Sequence, residues 1–260
     1  MRTKIKGFFQ VLFVRPYMQP FFTLLQRIAL RGMNIGTGQS VDTSGETQVI
    51  AILKREVNHP IIFDVGAHVG EYSTMAQSVC GDECEVYAFE PSQVTFTELS
   101  KVFDGSKIVR LQHVALGSSE GTATLCAESS ASSGAFIVED PTTVGTLPVS
   151  ESIAVTTLDI FCRSNSIDTI DLLKLDVEGH EIHVLHGASR MLAKRKIARI
   201  QFEFGEASIQ SKVFLKHFFD ILGSEYDIYR ILQRGIVRVE YSTLLEVFQV
   251  ANYLAVLKTR

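Results

Sequence analysis

Hydrophobic and polar residues follow two different periods along most of the chain. From Ile61 onwards, short runs rich in isoleucine, valine and phenylalanine alternate with longer segments that carry apolar residues every three or four positions. The short runs have the length of buried strands, and the longer segments have the period of amphipathic helices. Strands that alternate with helices are typical of βαβ units, so the pattern predicts an α/β fold with a mostly parallel sheet.

The same pattern predicts the extent of each element. Strands are expected at 61–65, 85–89, 108–112, 170–175, 198–204, 226–232 and 253–257. Helices are expected between them at about 71–80, 92–103, 157–164, 180–193 and 211–222. Residues 117–156 interrupt the alternation with glycines and short alternating runs, and we interpret them as a β-rich insertion on the sheet.

The N-terminal part of the chain has a different pattern. Its segments predict one or two helices, a polar stretch and a further helix near residues 47–56, so we interpret residues 1–58 as a helical appendage and 59–260 as the main domain. Residues 1–31 contain six basic and six aromatic residues, and no acid precedes Asp42. The formal charge is therefore +6 in this segment and −10 in the rest of the chain.

Two interpretations of residues 1–31 are open from the sequence. Apolar residues at helical spacing favour a helix that packs on the domain or on a second subunit, as in a homo-oligomer. Basic residues beside aromatic ones favour instead a segment that lies on an anionic membrane surface. The apolar runs are too short and too often interrupted for a bilayer span or a signal peptide, so we expect neither.

Composition excludes several classes of protein. Hydrophobic residues make up 46% of the chain, which is too many for a disordered protein. The net charge of −4 argues against nucleic acid as a partner, because binding to phosphates requires a basic surface. The four cysteines form no C-x-x-C pair, which predicts reduced thiols in a cytoplasmic protein rather than a zinc ribbon or a disulfide framework.

The turn after the first predicted strand, I-I-F-D-V-G-A-H-V-G-E, is the first candidate binding element. Gly66 and Gly70 would let a nucleotide-like ligand approach the backbone, although glycine also serves any tight strand-to-helix turn. The turn lacks a phosphate loop, and His68 stands where G-x-G-x-x-G has its second glycine. The Asp64 carboxylate would repel a diphosphate and attract a sulfonium group. The turn therefore favours a cationic nucleoside without phosphates.

The next two predicted strands end in residues that suit the rest of a nucleoside. Glu90 follows Gly70 by 20 residues, which is the position of the acid that binds a ribose diol. Pro91 stiffens the loop after it, and Ser92 is a candidate N-cap. His113 and Val114 end the third strand, where Val114 would contact an adenine ring.

The string D-L-L-K-L-D-V-E-G-H-E carries the candidate chemistry. Asp176 ends a strand that would lie beside the first strand, at the crevice where open α/β sheets bind ligands. His180 is close enough in sequence to Asp176 to act as a proton carrier, and an acid partner would explain the presence of Lys174 in the middle of a strand. Glu203 ends the following strand and could pair with Asp176 as a general base or as an oxygen site for Mg²⁺.

These motifs together resemble those of the FkbM-type S-adenosylmethionine-dependent methyltransferases. The similarity rests on the strings I-F-D-V-G-A-H-V-G-E-Y-S, Y-A-F-E-P-S, V-A-L-G, T-T-L-D, L-L-K-L-D-V-E-G-H-E, V-L-H-G-A and F-E-F. It extends over about residues 40–258, and K-L-D-V-E-G-H-E is its most specific part. His68 departs from the family pattern, which commonly has asparagine there.

The resemblance implies a fold, a donor and a reaction. The fold would be a Rossmann-like sheet of seven strands, with helices on both faces and an antiparallel last strand. The reaction would be O-methylation of a hydroxyl group, often on a sugar, a glycan or a natural product. The residues expected to bind S-adenosylmethionine are Asp64, Gly66, Ala67, His68, Gly70, Ser73, Glu90, Pro91, Ser92, His113, Val114 and Asp176.

Methyl transfer by in-line displacement requires alignment of the acceptor and a base for its proton. Asp176 is our first choice as the base or orienting carboxylate, and His180 is the second, with Glu203 nearby. Two alternatives are open. A catalytically silent S-adenosylmethionine-binding module would not require acids on both the fourth and fifth strands. An NAD-dependent oxidoreductase would use Glu90 for the ribose, but would bring Asp64 and His68 to a pyrophosphate.

Overall fold

The computed structural model describes residues 13–36, 44–127, 135–138 and 149–259. Strands are numbered in chain order within these ranges. They are β1 (Ile61–Val65), β2 (Glu85–Phe89), β3 (Val109–Gln112), β4 (Ala115–Leu116), β5 (Gly121–Ala127), β6 (Phe136–Val138), β7 (Val149–Thr156), β8 (Leu172–Leu175), β9 (Arg199–Phe204), β10 (Tyr226–Leu232), β11 (Gly235–Arg238) and β12 (Ala251–Leu257).

Eight of these strands form the main sheet, in the order β11-β10-β12-β9-β8-β1-β2-β3. The five strands from β3 to β9 in this order run parallel, and β12 runs antiparallel to both of its neighbours. The chain leaves β1 towards β2 on one side and returns as β8 on the other. This reversal places the carboxyl ends of β1 and β8 at the topological switch point, where open α/β sheets bind ligands.

Helices cover both faces of the main sheet. They are α1 (Gln19–Gly32), α2 (Glu46–Glu56), α3 (Glu71–Cys80), α4 (Gln93–Val102), α5 (Leu158–Ser164), α6 (Glu181–Gly187), α7 (Ser189–Ala193), α8 (Ala207–Gln210) and α9 (Leu215–Leu222). Buried residues of α2, α3 and α4 form one hydrophobic core, and those of α5, α6, α7 and α9 form the core on the opposite face. The predicted Rossmann-like α/β architecture is confirmed.

The element boundaries differ from the prediction in three places. The main sheet has eight strands rather than seven, because β11 follows β10 through a two-residue turn and pairs with it as a hairpin. The helix predicted at 180–193 divides at Ala188 into α6 and α7. The helix predicted at 211–222 begins only at Leu215, and residues 207–210 form the separate short helix α8.

The predicted β-rich insertion is a second sheet with the order β4-β7-β5-β6. β5 pairs with both β6 and β7 in antiparallel register, and a small core forms around Ala115, Leu125 and Ile153. Residues 128–134 and 139–148 of the insertion lie outside the described residues. β6 and the end of β5 lie beside the carboxyl end of β2, so this second sheet forms one wall of the cavity described below.

The two N-terminal helices differ in how they pack. α2 buries Val49, Ile50 and Leu53 against the core that contains β1 and α3. α1 is exposed over most of its length, and Leu30 is its only buried residue. Among the described residues, no helix is long and apolar enough to span a membrane. The predicted domain boundary at residue 58 stays a prediction.

The glycines of the first turn serve a purpose that the sequence did not indicate. A Cβ atom at Gly66 would lie 1.8 Å from the backbone oxygen of Asp176, and its φ of +82° is disfavoured for other residues. A Cβ atom at Gly70 would lie 2.5 Å from the Phe103 ring. Contact between the loops after β1 and β8, rather than the approach of a ligand alone, therefore requires glycine at position 66.

Candidate active site

The carboxyl ends of β1, β2, β8 and β9 surround a cavity of about 640 Å³. Small-molecule sites commonly have volumes of about 300–1,000 Å³. Many of the residues predicted to bind the donor or to act in catalysis line this cavity: Gly66, Ala67, His68, Glu90, Pro91, Ser92, Val114, Asp176 and Glu203. The switch point thus brings together residues that are up to 137 positions apart in the sequence.

The other predicted site residues lie outside the cavity lining. Asp64 is fully buried beneath the cavity, where its carboxylate accepts a hydrogen bond of 2.7 Å from the Ser73 hydroxyl. Gly70 packs against α4, and the ring of His113 stacks on Phe96. His180 is buried next to the second sheet. Asp64 and Ser73 are therefore buried behind the residues that line the cavity and form a hydrogen bond with each other there.

Lys174 connects the strands at the base of the cavity. Its ammonium nitrogen lies 3.1 Å from Oδ1 of Asp64 and 3.3 Å from Oδ2 of Asp176. Burial lowers the pKa of Lys174, but the carboxylates of Asp64, Asp176 and Glu46 outweigh this effect and raise the pKa above its usual value. The lysine is therefore charged, and its charge is shared between a fully buried acid and an acid that faces the cavity.

A polar network extends from Lys174 into α2 and α3. The Gln201 amide donates a hydrogen bond of 2.6 Å to Glu46, and the Tyr72 hydroxyl donates one of 3.3 Å to Gln201. The Lys174 ammonium group also lies over the Tyr72 ring, 5.1 Å from its centre. Glu46 is mostly buried, and burial raises the pKa of its carboxyl group. This network links the first turn of α2 to the cavity.

Glu90 holds together the loops that follow β1 and β2. One carboxylate oxygen accepts the His68 backbone N–H at 3.0 Å, and the other accepts the Ser92 N–H at 2.9 Å. Burial raises the pKa of Glu90 to about 7, although these two hydrogen bonds oppose the rise. The side chain is only 7% exposed, and that remaining exposure is towards the cavity.

His68 has both backbone strain and an unpaired side-chain atom. Its φ is +49°, which is uncommon for a residue other than glycine. Its Nε2 atom is buried, with no hydrogen-bond partner among the residues that the structure describes. Buried polar atoms are nearly always paired, so an unpaired nitrogen in the cavity wall is an available contact for a polar ligand.

The turn after β8 is shaped by Glu181. Its carboxylate accepts the backbone N–H groups of Val177 and Gly179 at 3.1 and 3.2 Å, and thus holds the turn that presents Asp176 and Glu178. Glu178 has a φ of +50° and lines the cavity. Burial raises the pKa of Glu178 to about 7, and the neighbouring Asp176 and Glu181 add to the rise.

Glu203 and Asp176 both line the cavity. Burial raises the pKa of Glu203, and the charges of Asp176, Glu178 and Glu181 raise it further. The described part of the chain contains no group of three or more histidine, cysteine, aspartate or glutamate side chains that could hold a metal ion. The structure thus gives no support to a Mg²⁺ ion between Asp176 and Glu203.

His180 is less suited to proton transfer than Asp176. Its ring stacks on that of His183 with 4.3 Å between centres. Burial lowers the pKa of His180 to about 3, and the nearby His183 contributes to this decrease. The imidazole is thus neutral at physiological pH, and it does not line the cavity that contains Asp176.

Several lining residues have no strong signal in the sequence. Glu46 looks like an ordinary acid in the first turn of a helix, and Val250 and Asn252 look like ordinary residues at the start of a strand. Leu125 and Ile137 of the second sheet complete the apolar wall. Their role depends on long-range packing, which short motifs do not encode.

The fold and this acid-rich cavity at the switch point define a Rossmann-like α/β domain with a small-molecule site. The family model of the methyltransferase FkbM domain matches residues 64–254, which is more than half of the chain. The chain therefore belongs to the FkbM methyltransferase family, and the resemblance inferred from the motifs is confirmed.

Individual relatives are more distant. The hexuronic acid methyltransferase AglP of Haloferax volcanii is 28% identical over 169 residues, which are 63% of this chain and 65% of that protein's length. The FkbM methyltransferase structure from Methylobacillus flagellatus is 17% identical, with 76% of this chain and 43% of that chain aligned and a TM-score of 0.49. The structure of fibrillarin from Aeropyrum pernix with bound S-adenosyl-L-methionine is 12% identical, with 80% of this chain and 74% of that chain aligned and a TM-score of 0.44.

The buried carboxyl groups predict an unusual dependence of stability on pH. The pKa values of Glu90, Glu178 and Glu181 are raised from 4.5 to about 7, so the folded chain binds protons more tightly than the unfolded chain. The stability that this binding contributes is fully present below pH 4.5 and is lost as the pH rises to about 7. We expect the free energy of unfolding, measured by urea denaturation, to decrease over this range.

Glu178→Gln should make this decrease shallower, because the amide does not titrate. Glu240→Gln removes an exposed carboxylate and should leave the slope unchanged. A free energy of unfolding that rises with pH in the wild-type chain would contradict the raised pKa values.

Proposed function

We propose that this chain is an S-adenosylmethionine-dependent O-methyltransferase that acts on a hydroxyl group of a sugar, a glycan or a natural product. The observation that carries the proposal is the position of Asp176. Its side chain is 39% exposed in the cavity, and the Lys174 ammonium group lies 3.3 Å from its Oδ2 atom. A carboxylate that is held in place on one side and open to the cavity on the other is suited to accept a proton from a bound hydroxyl group.

The donor side of the cavity fits an adenosyl group. Glu90 would accept hydrogen bonds from the ribose hydroxyls, because its carboxylate retains lone pairs beyond the two backbone N–H groups that it accepts. Val114 and the apolar wall formed by Leu125 and Ile137 would contact the adenine ring. The unpaired Nε2 atom of His68 offers a further polar contact. When bound, S-adenosylmethionine supplies a methyl group activated on a sulfonium ion.

In this mechanism the protein aligns the acceptor and receives its proton. Asp176 would accept the hydroxyl proton as the acceptor oxygen bonds to the methyl carbon and the bond between that carbon and the donor sulfur breaks, which would leave S-adenosylhomocysteine. Lys174 fixes the orientation of Asp176, and Glu181 fixes the turn that carries it. Alignment supplies most of the rate enhancement in such a reaction. The silent-module and NAD-dependent alternatives both lack a use for this arrangement.

The charge of the cavity favours a hydroxyl acceptor over a carboxylate. We take the part of the cavity beside the ends of β8 and β9 as the acceptor side, and it is lined by Asp176, Glu178, Glu203 and Glu206. The only cation in the lining that the structure describes is Lys174, which is already paired with two acids. A carboxylate acceptor would meet like charges at close range. A hydroxyl acceptor avoids this repulsion and can donate a hydrogen bond to the acids.

A second candidate acceptor is the carboxylate of a hexuronic acid, because the curated relative is a hexuronic acid methyltransferase. The two acceptors give products that can be distinguished chemically. Methylation of a hydroxyl gives an ether that resists mild alkali, and methylation of a carboxylate gives an ester that mild alkali removes. We expect mass spectrometry of products from neutral glycosides and hexuronosides to show an alkali-resistant methyl group. A product that loses its methyl group in alkali would establish the second candidate.

The donor assignment predicts weaker binding when Glu90 is truncated. Glu90→Ala should weaken the binding of S-adenosylhomocysteine by about 1.5–3 kcal/mol, as expected for the loss of charge-assisted hydrogen bonds. Calorimetry measures this directly, with Glu83→Ala as a control at an exposed acid. Tight binding of NAD together with no binding of S-adenosylhomocysteine would refute the donor assignment.

The catalytic assignment predicts a loss of turnover without a loss of donor binding. Asp176→Asn preserves the shape of the side chain but removes the proton acceptor, so kcat should decrease by about 10²–10⁴-fold. The affinity for S-adenosylhomocysteine should change by no more than a few-fold. Glu240→Gln, at an exposed position away from the cavity, serves as the control. Near wild-type turnover in Asp176→Asn would show that this carboxylate is not the base.

A further inference from the structure

Helix α1 presents an apolar surface that the rest of the described chain does not cover. Phe21, Leu24, Leu25 and Ile28 are 51%, 55%, 44% and 57% exposed. At 3.6 residues per turn, these four positions fall within an arc of about 100° around the helix. Tyr17, which is 75% exposed in the turn just before α1, continues the same arc.

The contacts of α1 with the domain lie on its other side. Leu30, the buried residue of α1, is about 180° from Phe21 around the helix axis. Beyond the helix, Ile35 is buried in the core, and the Asn34 amide donates hydrogen bonds to the backbone oxygens of Ser44 and Ile231. The domain therefore holds α1 by its C-terminal end, and the apolar arc faces away from it.

Basic residues border this arc. Arg27 and Arg31 are exposed and follow one edge of the apolar positions, and Arg15 is exposed just before the helix. The sequence adds Arg2, Lys4 and Lys6, which lie outside the described residues, and no acid precedes Asp42. An apolar arc with a basic border and no acid matches an anionic surface that offers an apolar layer beneath its charges.

We propose that α1 and its basic residues bind the surface of an anionic lipid bilayer. Phe21, Leu25 and Ile28 would enter the boundary between headgroups and acyl chains, and the arginines would face the headgroup charges. A second copy of the chain is a poorer match. Two such surfaces in contact would bring arginine against arginine, with no acid in the segment to pair with them.

This attachment would also position the cavity relative to the bilayer surface. The Gly36 N–H donates a hydrogen bond of 2.8 Å to the backbone oxygen of Val250, which lines the cavity. Ser44, which Asn34 contacts, donates a hydrogen bond of 2.8 Å to Glu46, another lining residue. Hydrogen bonds thus connect the residues that follow α1 to residues that line the cavity. The inference itself does not depend on which acceptor is methylated.

The test is co-sedimentation of the full chain with vesicles. One set contains phosphatidylcholine alone, and the other contains equal parts of phosphatidylcholine and phosphatidylglycerol. We expect the wild-type chain to bind the anionic set at low salt and to be released at high salt, because salt screens the attraction. Arg27→Gln with Arg31→Gln should weaken this binding by about 25-fold, since each arginine contributes about fivefold.

Three substitutions test the apolar contribution. Phe21→Gln, Leu25→Gln and Ile28→Gln together should weaken binding by about tenfold or more, because the helix would lose its insertion into the bilayer. Ile209→Gln with Leu244→Gln removes two exposed apolar residues from elsewhere on the domain, and should leave vesicle binding unchanged. Circular dichroism and thermal unfolding of each variant establish that it is folded.

Two results would overturn the proposal. The first is recovery of the wild-type chain in the supernatant with both sets of vesicles at low salt. The second is a wild-type dimer by light scattering that becomes a monomer in the Phe21, Leu25 and Ile28 variant, with neither protein bound to vesicles. That second result would assign the apolar surface to a second copy of the chain.

Discussion

The buried ammonium group of Lys174 joins the elements that meet at the switch point. In the sheet register, Lys174 is the direct neighbour of Asp64 on β1 and of Gln201 on β9, so the three side chains form a row across adjacent strands. Glu46 of α2 and Tyr72 of α3 each form a hydrogen bond with Gln201 of this row. Loss of one partner from a buried ion pair typically costs about 3–5 kcal/mol, so this row also constrains how the strands and helices align.

The same ion pair explains why the loops after β1 and β8 approach so closely. The Lys174 ammonium group lies 3.4 Å from the backbone oxygen of Gly66, and it attracts Asp176 from the other loop. At Gly66 the two backbones are too close for any side chain. The strained turns at His68 and Glu178, both with positive φ, follow on either side of this contact. The ion pairs of Lys174 with Asp64 and Asp176 thus determine the shape of the loops that line the cavity.

Most of the strands and many of the residues around the cavity could be predicted from the sequence, because each depends on a short run of residues. The acids Asp64, Glu90 and Asp176 stand at strand ends, and strand ends are visible in the hydrophobic pattern. The pairing of Lys174 with Asp64 could not be predicted, because the register between β1 and β8 depends on packing between residues that are 110 positions apart. The hydrogen bond between Glu46 and Gln201 spans 155 residues and has no local signal at all.

The charge balance of the cavity bears on both sides of the proposed reaction. Among the described residues, no salt bridge pairs Glu178 or Glu203 with a cation, and burial together with the neighbouring acids raises the pKa of each. Under the proposed function, the sulfonium group of a bound donor would add positive charge to the cavity and would favour the ionised forms of these acids. The product has a neutral sulfur atom, so this attraction ends when the methyl group is transferred. An excess of acid around the cavity would therefore bind the donor more tightly than the spent product. Weaker binding of the product would favour its release, and so would favour turnover.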